Sequence, residues 1–136
     1  MKFARQVCVI GAILISVAAA QEPRTPALQQ GVSVEMPVAT HAVEMRAADE
    51  PNATVVAITA DGRVFMGIHP SNATALSKLS ADTVYVKADA RVPYQALLTV
   101  MDALRGKTVV LLTAAPNTVE KTRIVPPYGV KVTFSR

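Results

Sequence analysis

The stretch VYVKADARVPYQALLTVMDALRGKTVVLLT, Val84 to Thr113, decides the fold. Its apolar patches, Val84-Tyr85-Val86 and Val109-Val110-Leu111-Leu112, are continuous rather than alternating. Continuous patches mark strands covered on both faces. Between them, Pro93 suits a first helical turn, because it has no N–H to leave unsatisfied and its φ is already helical. Apolar residues then recur at Tyr94, Leu97, Leu98, Met101 and Leu104, a one-sided helical stripe. Gly106 falls where a left-handed C-terminal cap belongs. The run therefore reads as one βαβ crossover with parallel strands and a right-handed connection.

Working outward, Thr54–Thr59 reads as a strand, and Asp61-Gly62 separates it from the β-prone Val64–Gly67. Asp-Gly between two such runs is a strong hairpin signal, since both residues tolerate positive φ. Ser71 is the expected N-cap of a short helix that makes contact through Ala75, Leu76 and Leu79. Near the end, Val130, Val132 and Phe134 alternate, as an added edge strand would. Upstream, Val32, Val34 and Met36 alternate with Ser33 and Glu35 and close at Pro37, a half-buried strand pattern. A strand that cannot bury its apolar face alone pairs at a sheet edge, in its own chain or in a second copy, so a homodimer is expected. The fold class is α/β (α+β): a small mixed sheet with two helices on one face, built as a β-hairpin followed by βαβ. The expected domain spans residues 54–114. A linker over 21–53 with a short strand at 32–37 precedes it, and a C-terminal extension over 115–136 follows.

At 136 residues the chain has room for one domain. About half the residues are hydrophobic, yet there are three Tyr, three Phe and no Trp, so the core must be aliphatic. Residues 1–20 carry Lys2 and Arg5, an apolar run from Val7 to Ala20, and an Ala18-Ala19-Ala20 end. They read as a signal peptide or a short membrane anchor, the apolar run being shorter than the ~20 residues of a usual span. Cys8, the single cysteine, lies in this segment; if it is cleaved, neither a disulfide nor a thiolate metal site can form. The formal net charge is +4, and losing Lys2 and Arg5 leaves +2. That balance, with the basic residues scattered, argues against a nucleic-acid partner.

The chemistry-bearing residues are sparse. His41 and His69 stand 28 positions apart in loop-like sequence, with no ligand-spaced partner. Neither a phosphate-cradling glycine loop nor a nucleophile elbow occurs. No catalytic, cofactor-binding or metal residue is nominated, and an enzyme is not expected. Asp89 stands at the carboxyl end of a buried strand, where α/β sheets place functional groups. The favoured reading is that it satisfies backbone N–H groups of the following loop. Asp89, Val32, Val34 and Met36 are therefore the candidate interaction or loop-organising residues. Asp102, three residues before Arg105, suits a solvated helix pair.

The order of these elements resembles the periplasmic domain of the ExbD/TolR family, over about Val32 to Thr113. Ala88-Asp89 ends the strand before the helix, and Val100-Met101-Asp102 matches the family's helical triplet. Val32–Pro37 looks like the short strand ending in Pro that follows the family's membrane helix, and Val55–Gly67 looks like its first hairpin. The tail after Ala114 is extra. The resemblance implies a component of a proton-motive-force-coupled biopolymer transport system in the bacterial cell envelope, anchored in the inner membrane or secreted across it. It implies a homodimer working with an ExbB/TolQ-like polytopic motor subunit and an energy-transducing partner, without a cofactor. Residues 7–20 would supply the contact with the inner membrane. The family's membrane helix carries an aspartate coupled to proton flow, but Met1–Ala20 holds no Asp or Glu. Proton relay is therefore expected to fall to another subunit. The alternative is a free periplasmic adaptor or binding module that has left the motor.

Overall fold

A computed structural model of the chain describes residues 31–117 and 125–134. The segment 1–20 with Cys8, and residues 21–30 of the linker expected over 21–53, lie outside the described residues. The strands are β1 (Val43–Glu44), β2 (Thr54–Ile58), β3 (Val64–Met66), β4 (His69–Ser71), β5 (Thr83–Ala88), β6 (Thr108–Thr113) and β7 (Tyr128–Val132). The helices are α1 (Ala73–Ser77) and α2 (Tyr94–Ala103), with a 3₁₀ turn over Arg46–Asp49. The seven strands form one mixed sheet in the order β1-β7-β6-β5-β2-β3-β4.

The centre of the sheet is parallel. β5 pairs with β2 on one side and β6 on the other, both parallel, and α2 carries the chain from β5 to β6 as the sequence predicts. Parallel neighbours cannot be joined by a tight turn and need a crossover. The register aligns Val56, Val86 and Leu111 across three strands. Val56, Ile58, Val84, Val86 and Val109 pack with Leu76 of α1 and with Val100 and Leu104 at the end of α2. Tyr85, Val110 and Leu112, the alternate residues, meet Ala48, Met36 and Met45 on the other face. Two-sided cover explains the unbroken apolar runs.

The hairpin forms between β2 and β3. Only Gly62 takes a positive φ, at 83°. The Gly62 N–H donates to Thr59 O and the Thr59 N–H to Arg63 O, both at 2.9 Å. This is a three-residue loop with its left-handed residue at glycine, rather than a two-residue turn with Asp61 also left-handed. Gly106 is left-handed at 87° and ends α2 as expected. Asn72, not Ser71, caps α1: its Oδ1 accepts from Ala75 N–H at 2.9 Å. Ser71 is instead the last residue of β4.

The helix stripe holds at Leu97, Met101 and Leu104 and needs correction at Tyr94 and Leu98. Val100 and Leu104 are buried, with Ala96, Leu97, Met101 and Ala103 packed beside them. Tyr94 is 74% exposed and Leu98 42% exposed, so both lie on the outer side. The physical reason is clearance. The small side chains at 96, 100 and 103 let the helix approach the sheet, and the bulkier Tyr94 and Leu98 turn away.

The sheet also outgrows the window expected for the domain. β7 pairs antiparallel with β6 over five residues, and β1 pairs with β7. Strand β7 is thus the second strand in from the edge, and part of the supposed C-terminal extension is a sheet member. Residues 32–37, by contrast, form no strand. Val32, Val34 and Met36 are half-buried, while Ser33 and Glu35 are exposed, so the alternation reports burial without a ladder.

Leu104→Ala should lower the free energy of unfolding by about 2–5 kcal/mol, the cost of emptying a fully buried leucine site. Leu98→Ala should cost less than about 1 kcal/mol. Chemical denaturation of the two variants measures both, and equal losses would mean that the helix phase is wrong.

Candidate functional site

Asp89 stands at the carboxyl end of β5, while Val32, Val34 and Met36 lie on the segment that passes it. Residues 31–38 form a strap that starts at Gly67, beside the amino end of β2, and reaches Asp89 and then Ala114 at the carboxyl ends of β5 and β6. At one end, Val32 N–H donates to Gly67 O at 3.3 Å. At the other, Ala114 N–H donates to Pro37 O at 2.9 Å, and Val38 makes a single parallel bridge with Ala114. In the middle, Ala90 N–H donates to Glu35 O at 2.7 Å, and Glu35 N–H donates to Asp89 Oδ2 at 3.1 Å. The strap touches the loops after β3, β5 and β6. Gly31 sits at its start with φ 80°, and a Cβ there would lie 2.4 Å from Gly67 O. That close approach requires glycine.

Asp89 is held in place by the chain on both sides of it. Its own N–H donates to Ile58 O, and its carbonyl accepts from Val92 N–H, which turns the chain from β5 towards α2. The carboxylate is only 6% exposed. Oδ1 accepts from Arg91 N–H at 3.0 Å and from Arg91 Nε at 2.9 Å. Oδ2 accepts from Glu35 N–H and from Arg91 Nη2 at 3.2 Å. A carboxylate with four donors is strongly favoured in its ionised form. The Arg91 side chain, and then the Arg91 backbone N–H, hold the Asp89 carboxyl well below the usual carboxylate range against the opposing effect of burial. Asp89 in turn raises Arg91. Asp89 is therefore a fixed negative charge, unsuited to carrying a proton at ordinary pH.

Arg91 and Glu35 were missed from the sequence. Arg91 is largely exposed and its Nη2 lies 3.9 Å from Glu35 Oε2, at the outer rim of the latch. The spacing Asp-x-Arg between a buried strand and a helix was the available signal, because a loop carboxylate reaches the side chain two residues on. Asp102 and Arg105 do form the solvated pair, at 3.2 Å. His41 and His69 are both exposed. No cluster of three or more His, Cys, Asp or Glu able to hold a metal ion occurs among the described residues. An open groove of about 680 Å³ runs between α1 and α2 past Thr74, Ser77, Gln95 and Leu98. Two hydroxyls there are committed to local carbonyls, Ser77 to Thr74 O and Thr99 to Gln95 O.

Together these features define a class: a small α/β domain with both helices on one face of a mixed sheet and residues 31–38 tied as a strap to Gly67, Asp89, Ala90 and Ala114. The chain belongs to the ExbD/TolR family of biopolymer transport proteins, whose family model matches residues 9–115. Members of that family are non-enzymatic components of the bacterial envelope that serve transport and energy transduction. No curated protein matches the chain. Strand β7 lies beyond the matched span.

Asp89→Asn should loosen the strap while leaving the sheet intact. Asparagine keeps the shape but loses the charge and turns an amide NH₂ toward one set of donors. Hydrogen exchange at Val32 and Glu35 should quicken on the order of tenfold, with β5 and β6 unchanged. The pH dependence has a definite sign. A carboxyl lowered on folding contributes in full above its unfolded pKa of about 3.9, and that contribution is lost only as pH falls through the lower folded value. Strap protection in the wild type should therefore stay flat from about pH 9 to 5 and fail only in acid. A transition near neutrality would contradict the latch.

Proposed function

We propose that this chain is a component of a proton-motive-force-coupled envelope transport system, acting by protein–protein contact through the domain described above. In this reading it works as a homodimer with an ExbB/TolQ-like polytopic motor subunit and an energy-transducing partner. It has no enzymatic activity and needs no cofactor. Residues 1–20 keep it at, or deliver it across, the inner membrane, and the domain works in the periplasm.

Family membership supports the transport role, and the docked strap supports the mode of action. The strap is the stretch of chain that joins the domain to its N-terminal segment. Backbone hydrogen bonds and one ionised carboxylate hold it, so tension on the N-terminal side loads the Val32–Gly67 hydrogen bond first and the Glu35–Asp89 contact next. An undocked eight-residue strap would reach about 26–29 Å. Release at the latch would thus change how far the domain can stand from its anchor. The coupling is passive. Asp89 stays charged, and Met1–Ala20 holds no carboxylate, so the proton-bearing residue belongs to another subunit.

The test is made in the native host. The chain should be retained in the membrane fraction, and energy-dependent envelope transport should survive Cys8→Ser. Asp89→Asn should reduce transport roughly fivefold or more at normal protein level, the lower end of ordinary coupling effects. Full recovery in the soluble periplasm, or transport indifferent to Asp89→Asn, would overturn the reading.

A further inference from the structure

The sheet has two edges, and they are finished differently. On one side β4 is three residues long and carries Pro70, which has no N–H to offer a new strand. On the other side β1 covers only Gly129 and Tyr128 of β7. A turn at 39–42, closed by Ala42 N–H to Ala39 O, comes directly before β1, which begins at Val43. Along residues 130–132, where β7 ends, no described strand pairs with its outer side. Thr133 and Phe134 continue the chain past the strand, so that a partner strand would extend it by two residues. Val130 is 39% exposed, although it stands in the row of Val132 and Phe134, which pack on the main core. An open strand with an apolar row is a template for another strand.

We propose that Val130–Phe134 pairs antiparallel with the same five residues of a second copy of this chain, about a twofold axis at Val132. The proposal rests on the homodimer reading above and names its surface. Charge and sterics select this register. An axis at Val132 sets Val130 opposite the partner's Phe134, so the apolar row runs on across the junction. It sets Lys131 opposite the partner's Thr133, so no like charges meet. An axis at Lys131 would put two lysines directly opposite, which is destabilising. An axis nearer β1 would drive the partner strand into Val43. β1 therefore acts as a stop at each end of a five-residue window. Residues 32–36, the segment expected to dimerise, are occupied within their own chain.

Two sets of variants of the full chain, in a Cys8→Ser background, test this. Directly opposed residues on paired strands have Cα atoms about 4.5–5.5 Å apart, within disulfide range. Val132→Cys should cross-link to itself in situ on mild oxidation. Lys131→Cys and Thr133→Cys should each stay uncross-linked alone and should cross-link when the two variants are co-expressed. The second set reads affinity. Thr133→Lys should weaken the dimer and Thr133→Glu should tighten it, each by about 2- to 30-fold in dissociation constant, since each changes two cross-strand pairs. Opposite signs from one position distinguish a paired edge from a merely structural role. A dimer by sedimentation that lacks the Val132 cross-link, or whose affinity ignores the charge at 133, overturns the β7 interface and spares the homodimer reading. A wild-type monomer at high micromolar concentration overturns both.

Discussion

Strand β5 is paired in parallel on both sides and covered on both faces, and the rest of the structure answers to that constraint. Parallel neighbours force crossovers, and right-handed crossovers place successive helices on one side of a sheet. Leu76, Val100 and Leu104 thus come to cap one face. The other face presents Tyr85, Val110 and Leu112, which no crossover helix covers. The 3₁₀ turn with Ala48, together with Met36 and Met45, fills that need. The N-terminal stretch is therefore part of the fold rather than a tether leading to it.

The same topology produces the latch. Parallel pairing brings the carboxyl ends of β5 and β6 side by side, so Ala90 and Ala114 lie at one end of the sheet. A strap that starts at Gly67, beside the amino end of β2, and runs to that end meets Gly67 O, Ala90 N–H and Ala114 N–H in turn. Its one side-chain anchor is a carboxylate whose charge Arg91 and backbone amides stabilise locally. The ionised carboxylate keeps the contact insensitive to pH over the ordinary range.

The two sheet edges show a related economy. Pro70 blunts the β4 side, while the brevity of β1 leaves a measured window on the β7 side. One edge is blunted against strand addition, and the other is where the proposed pairing with a second copy would be limited in length and register.

The sequence by itself determined the elements whose signals are local. Asp61-Gly62 marked the hairpin, Pro93 and Gly106 bracketed α2, and the unbroken runs at 84–86 and 109–112 marked strands buried on both faces. Each depends on the conformational preference of one or two residues, or on solvent exclusion read along a few neighbours. Tertiary structure decided what depends on which surface arrives opposite. Val32, Val34 and Met36 alternate as a strand would, but alternation records one-sided burial and cannot name a hydrogen-bond partner, so the segment became a strap. The stripe on α2 was right at Leu97, Met101 and Leu104, but tertiary packing added Val100 to the buried side and left Tyr94 and Leu98 outside. β7 stands 14 residues beyond β6, and its place depended on the open side of β6. Asp89 was legible as a residue at a strand end. Its union with Glu35, 54 positions earlier, was not, because only the folded sheet brings those two positions within a hydrogen bond.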